Sequence, residues 1–189
     1  MAFKHFINPV ATAKKIMSHC IKEGNIVLDC TVGNGNDTLL LARLVGQTGK
    51  VYGFDIQSIA IQITEEKLIK EGLDKRVILI NDSHENIDQY ISEKLHLIIY
   101  NLGYLPGGDK RIKTSAVTTI NSIRKALTLL DRNGLLLVTC YRGHEGGEEE
   151  SKAVREMLQS LNQREYNVLE FNFLNHINKP PILYGIEKL

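Results

Sequence analysis

Short apolar runs alternate along this chain with stretches whose apolar residues recur at three- and four-residue spacing, and that alternation predicts a fold class. Asn8-Pro9 reads as a helix cap followed by proline at the first helical position, opening an amphipathic helix over residues 9 to about 22 that Gly24 ends. The apolar run 26–30 predicts a first strand, passing through the glycine-bearing turn 31–36 into a helix that reaches Leu44. A second strand, 51–55, precedes a helix carrying Ile59, Ile63 and Leu68, with Ser58 as its cap and Gly72 as its end. Residues 77–80 form a third strand, 86–91 a short helical turn, and 95–100 a fourth strand that Asn101 ends. After an unusual loop, 101–113, come a helix at about 115–130, a fifth strand at 135–140 and a helix at 151–161. The runs 168–174 and 182–186 have no helix between them and should pair antiparallel.

Strands that are apolar throughout and separated by helices predict a Rossmann-like α/β fold: a seven-stranded, mostly parallel sheet with helices on both faces and a C-terminal antiparallel strand pair. No repeat, low-complexity tract or linker divides the chain, so residues 1–189 are expected to form a single domain. With 23 Lys+Arg against 22 Asp+Glu, the net charge of +1 supplies no bulk attraction to nucleic acid or membrane. No apolar run approaches the roughly 20 residues of a membrane span, and the N-terminus lacks a hydrophobic signal core, so a cytoplasmic protein without membrane partners is expected. Cys20, Cys30 and Cys140 are too far apart for a zinc site and read as buried thiols, with no metal expected.

In sheets of this kind ligands gather at the carboxyl ends of the strands, where strand order reverses. Gly33 and Gly35 let the backbone after the first strand approach a ligand closely, beside the free N–H groups of the next helix. About 20 residues on, Asp55 ends the second strand, where a carboxylate can accept both hydroxyl protons of a ribose. The pair points to an adenosine-type cofactor. A dinucleotide loop of the form G-x-G-x-x-G needs a small residue where Thr38 stands, and Asp37 would repel a pyrophosphate at the helix start, so S-adenosylmethionine fits better than NAD. Asn34 and Asn36 also suit plain turn chemistry, and Asp55 a helix cap. At the end of the third strand Asp82 can accept from an adenine amine, Ser83 can offer its backbone or hydroxyl, and His84 can stack on the ring; a capping segment before Asn86 is the rival reading.

The strings 29–38, 52–57, 83–86, 101–110, Gly143-His144, 178–181 and 186–188 together resemble the class I S-adenosylmethionine-dependent methyltransferases, and within them the small bacterial rRNA-methylase group. The string 101–110 is the most specific of these, and the likeness spans nearly the whole chain. This group looks like the enzymes that methylate the 5-aminomethyl group of 2-thiouridine at tRNA position 34. The resemblance implies S-adenosyl-L-methionine as cofactor, with Asn34, Asn36, Asp55, Gln57, Ser83 and His84 as its contacts, and tRNA, through its anticodon region, as substrate and partner. One departure is Arg142, where the family pattern Tyr-His-Gly-His has a histidine, so no role for that histidine carries over. An rRNA amine as target, a nicotinamide-dependent oxidoreductase and a non-catalytic RNA-binding protein are the alternative functions, and a homodimer is left open.

The substrate-side chemistry follows from methyl transfer as an in-line displacement on a sulfonium, which needs a lone pair held near the methyl. Asn101-Leu102-Gly103-Tyr104 keeps the Asn and the aromatic of an Asn-Pro-Pro-Tyr motif without its prolines. Asn101 can accept from the target amine, and Tyr104 can stack on an extruded base. An alkylammonium must lose a proton before it attacks, and His144 is the candidate base or orienting group. Glu148, Glu149 and Glu150 read as a helix N-terminal acidic run. Lys110, Arg111 and Lys113, with Arg142 across the cleft, are expected to form a basic rim for RNA phosphates.

Overall fold

The computed structural model describes residue 4 and residues 7–105, 107 and 113–189. Lys110 and Arg111 lie outside the described residues. The elements run α1 (Pro9–Cys20), β1 (Ile26–Asp29), α2 (Asn36–Leu44), β2 (Lys50–Phe54), α3 (Ser58–Glu71), β3 (Val77–Ile80), α4 (Ile87–Tyr90), β4 (Leu95–Leu102), α5 (Ala116–Leu129), β5 (Leu130–Cys140), α6 (Gly147–Gln159), β6 (Tyr166–Phe171) and β7 (Ile182–Lys188). The seven strands form one sheet in the order β3-β2-β1-β4-β5-β7-β6. Strands β1 to β5 pair in parallel, and β7 inserts antiparallel to both β5 and β6. No helix among the described residues is long and apolar enough to cross a membrane.

Because successive side chains of a strand face opposite ways, each central strand feeds two cores. Leu28, Ile98, Tyr100, Leu136 and Val138 pack with Ile87, Ile123, Leu127, Val154 and Leu158 of α4, α5 and α6. Val27, Val51, Leu97, Ile99 and Leu137 pack on the other face with Ala13 and Met17 of α1, Leu39 and Leu41 of α2, and Leu68 of α3. Helix α1 begins as its sequence demands: Asn8 Oδ1 accepts from Ala11 N at 2.7 Å, ahead of Pro9.

Several boundaries move, each for a local reason. The cap position of α3 falls to Gln57 without a side-chain cap bond, and Ser58 is the first helical residue. The Gln57 N–H is taken instead by the Asp55 carboxylate at 2.9 Å. Helix α6 starts at Gly147, after Gly146 in the left-handed region at φ +80°, so Glu148, Glu149 and Glu150 occupy its first turn, where carboxylates complement the helix dipole. Strand β5 enters the sheet at Leu130, paired with Leu95, detours through residues 131–134 with Asn133 at φ +58°, and resumes at Leu135 opposite Leu97. Strand β4 continues past Tyr100, with Asn101 opposite Thr139 and Leu102 opposite Cys140. Strand order reverses between β1 and β4, opening the crevice above their carboxyl ends that such sheets use for ligands. Of the cysteines, Cys30 and Cys140 are buried, whereas Cys20, in the last turn of α1, is exposed.

Candidate active site

The loop leaving β1 is held by a buried acid. Asp29 is fully buried; its carboxylate accepts from Thr38 Oγ1 at 2.7 Å and from Thr31 N at 3.1 Å, tying the strand end to the first turns of α2. Burial, and after it the nearby charge of Asp37, lifts the Asp29 carboxyl to about 7. Gly35 sits at φ +75°, and a Cβ there would lie 2.5 Å from Thr64 Oγ1, so only glycine lets the loop lie this close to α3. Asp55 reaches across from the end of β2: its Oδ2 accepts from Gly33 N at 2.8 Å and its Oδ1 from Gln57 N. Burial raises the Asp55 pKa against the opposing effect of these two N–H groups. Each carboxylate oxygen keeps a second lone pair, so Asp55 braces the glycine loop and can still accept from a ligand.

A cavity of about 490 Å³ opens above β1 and β4. Asn34, Asn36, Asp55, Gln57, Ser83 and His84 line it toward β2 and β3, and Asn101, Tyr104 and His144 line it toward β4 and β5. Asp82 is not brought onto this wall. Its carboxylate accepts from Ser83 N at 2.7 Å, from Asn86 Nδ2 at 3.1 Å and from Tyr90 OH at 3.0 Å, and these donors, the Ser83 N–H first, hold its pKa below the usual carboxylate range. Asp82 therefore braces the turn that carries its two neighbours. Ser83 keeps part of the capping role, its Oγ accepting from Glu85 N at 3.2 Å.

His84 carries the clearest capacity for ligand binding on this side. Its ring meets Tyr100 edge-on at 5.7 Å, burial pushes its pKa down to about 4, and its Nδ1 is buried without a hydrogen-bond partner among the described residues. A neutral imidazole with an orphaned nitrogen in a cavity wall fits a heterocycle such as adenine, and the Asp55 carboxylate fits a ribose.

The opposite wall is stitched together from distant segments. Asn101 N donates to Thr31 Oγ1 at 2.7 Å, and Asn101 Nδ2 donates to Asp37 Oδ2 at 2.9 Å. The carboxylate accepts only, which assigns the amide: Nδ2 faces Asp37, and Oδ1 is the end able to accept from a ligand. His144 Nδ1 lies 3.1 Å from the Glu145 carbonyl, so Nδ1 carries the proton and Nε2 carries the lone pair. That Nε2 is buried, with no hydrogen-bond partner among the described residues. Tyr104 meets the His144 ring edge-on at 5.8 Å. The close packing depends on Gly147, where a Cβ would lie 2.9 Å from His144 Nε2.

Of the four cations expected to form a basic rim, Lys113 and Arg142 fall among the described residues. Lys113 donates to the Glu145 carbonyl at 2.9 Å and to Glu145 Oε2 at 3.1 Å, and Arg142 Nη2 donates to the Pro180 carbonyl at 2.8 Å. Both cations are engaged by the protein: Lys113 ties the residues just before α5 to the segment that carries His144, and Arg142 ties the end of β5 to the loop before β7. Lys14 and Tyr141 also line the cavity, and neither stands in a motif that marks it; Asp37, in the glycine-loop string 29–38, lines it too, although the sequence marks no contact for it there. The signal for Asp29 was available, as the acid closing an apolar run directly before a glycine turn.

Residues 51–187 match the family described as "Putative rRNA methylase". A protein of Arabidopsis thaliana named "tRNA (mnm(5)s(2)U34)-methyltransferase, chloroplastic" is 34% identical over 186 residues, covering 93% of this chain and 68% of the plant protein. The crystal structure of a "putative rRNA-methylase" from Clostridium thermocellum superposes with a TM-score of 0.95 at 43% identity, covering 100% of both chains. A "putative methyltransferase" from Streptococcus mutans, solved in complex with SAH, gives 0.88 at 37% identity, again over 100% of both chains. These matches remove the nicotinamide reading of the glycine loop. A crevice lined by an acid that can take a ribose and a histidine that can take adenine, in a chain that matches the Clostridium and Streptococcus proteins over their full lengths, has one reading: the chain belongs to the rRNA-methylase family of S-adenosylmethionine-dependent methyltransferases.

Proposed function

We propose that this enzyme methylates the primary amine of 5-aminomethyl-2-thiouridine at the wobble position of tRNA, engaging the anticodon region. The observation that carries this reading is the 34% identity to the plant tRNA (mnm(5)s(2)U34)-methyltransferase over 93% of the chain. An rRNA amine is the second reading, favoured by the family's description.

S-adenosylmethionine, when bound, supplies a methyl group on a sulfonium that is open to in-line attack by a lone pair. In this proposal Asp55 accepts the ribose hydroxyls, His84 and Ser83 border the adenine, and Asn34, Asn36 and Gln57 complete that wall. Asn101 Oδ1 accepts an N–H of the substrate amine and sets its direction, and Tyr104 stacks on the base. His144 Nε2, already the unprotonated nitrogen, takes the proton that the alkylammonium must lose.

The deciding experiment is mass spectrometry of tRNA nucleosides from cells lacking the gene. Accumulated 5-aminomethyl-2-thiouridine with loss of its methylated form is the expected result, and an unchanged tRNA with a missing rRNA methyl group selects the second reading. For the cofactor, Asp55→Ala is expected to weaken S-adenosylhomocysteine binding by about 1–3 kcal/mol, because ribose hydroxyls lose a charged acceptor and the Gly33 brace goes with it. Calorimetric titration of the folded variant checks this, and unchanged affinity would place the ribose elsewhere.

A further inference from the structure

Asp37, the second residue of α2, has its two oxygens in different employment. Oδ2 takes the Asn101 amide at 2.9 Å. Oδ1 is buried and has no hydrogen-bond partner among the described residues, although Lys14 Nζ stands 3.3 Å away as an ion pair. The separation is short enough for Coulomb attraction, while the geometry leaves the acceptor lone pairs of Oδ1 unused. The Asp37 side chain is only 15% exposed and lies in the cavity wall, whereas the Lys14 side chain, at the same wall, is 42% exposed and open to solvent.

The neighbours of Asp37 place it on the side of the crevice away from Asp55 and His84. Asn101 stands at the end of β4 and Lys14 on α1, and the charge of Asp37 reaches Tyr141, just past β5, whose pKa is raised first by burial and then by that charge. An anionic oxygen short of a donor, beside the amide that faces the substrate, suits a cation carrying N–H groups. Exchanging one cation for another leaves the charge of the pocket unchanged, so a ligand ammonium replacing Lys14 meets no new cost of burying an unpaired charge.

We infer that Asp37 is the carboxylate that receives the alkylammonium of the substrate in exchange for Lys14, while its other oxygen holds Asn101 in the orientation that faces the same nitrogen. This rests on the reading that the substrate nucleoside carries a primary amine. It also makes Asp37 a determinant of specificity: a uridine without the aminomethyl arm offers nothing to displace Lys14, and the ion pair stays closed. The competing cation is the amino group of the cofactor itself, which would make Asp37 a cofactor residue.

The test compares two anticodon stem-loop RNAs, one with 5-aminomethyl-2-thiouridine and one with 2-thiouridine at the wobble position, binding to the full-length protein saturated with S-adenosylhomocysteine. The wild type should prefer the amine-bearing RNA by about tenfold or more, the range of a hydrogen bond to a charged group. Asp37→Asn retains an oxygen for Asn101 while it removes the charge and turns the other acceptor into an amide NH2, so its preference should fall to about twofold or less while S-adenosylhomocysteine affinity stays within about twofold. Lys14→Ala should keep or enlarge the preference, since it removes the competing cation, and any loss of phosphate contact affects both RNAs alike and cancels in the ratio. Retained preference in Asp37→Asn overturns the inference, as does a Lys14→Ala ratio that collapses with it. Loss of S-adenosylhomocysteine binding in Asp37→Asn also overturns it, assigning the carboxylate to the cofactor. No preference in the wild type sinks the aminomethyl substrate itself, a different outcome from a preference that survives without Asp37.

Discussion

His144→Ala should lose most of its turnover near neutral pH, by about 10²–10⁴, and regain part of it as pH rises, because alkaline solution supplies the neutral amine that the missing base no longer makes. The structural ground is the tautomer: the Glu145 carbonyl accepts from Nδ1 at 3.1 Å, which leaves the lone pair on Nε2, the nitrogen without a partner among the described residues. The measurement is a pH–rate profile at saturating cofactor and RNA, with a thermal melt confirming that the variant is folded. Since Asp55, Ser83 and His84 lie on the other wall, S-adenosylhomocysteine should bind the variant as it binds the wild type. Profiles that run parallel for wild type and His144→Ala would remove the base role and leave His144 as an orienting contact.

Asn101→Ala is expected to behave differently, with turnover falling by about 10² or more at every pH and no alkaline recovery. Raising the pH deprotonates the amine but cannot restore its direction relative to the sulfonium. Asn101 is suited to directing the amine because both ends of the residue are anchored, its backbone N–H on Thr31 and its Nδ2 on Asp37, so the remaining oxygen has a defined position before substrate arrives. The wall that carries Asp55, Ser83 and His84 is again untouched, so on the proposed placement S-adenosylhomocysteine affinity should hold. A variant that recovers at high pH in step with His144→Ala would reject the division of labour between the two residues.

The position of these two residues also shows how far local pattern reaches. Asn101 and Asp37 are 64 residues apart and meet because β4 pairs with β1, placing the end of one strand beside the loop that leaves the other. Reading the fourth strand as ending at Tyr100 follows from its apolar run; its continuation to Leu102 follows from pairing with Thr139 and Cys140 of β5, a partner the run itself does not reveal. The same limit applies to charge. Lys113 and Arg142 read as rim cations in sequence, and only the assembly of β5, α6 and β7 shows that Glu145 and the Pro180 carbonyl also bond them.

By itself the sequence determined what short-range physics controls. The caps and periodicities that start α1 at Pro9, the apolar runs that become buried parallel strands, the glycine loop and the acid about 20 residues beyond it all act within a few turns or one β-α-β unit, so residue order carries them. Tertiary structure alone decided which polar groups are left over for chemistry. Asp82 looks like an adenine acceptor until Asn86 and Tyr90 fold onto it, and Asp37 looks like a helix-start acid until β4 brings Asn101 and α1 brings Lys14. Whether a buried acceptor is satisfied depends on every element packed around it, and that information exists only when the sheet has closed over both cores.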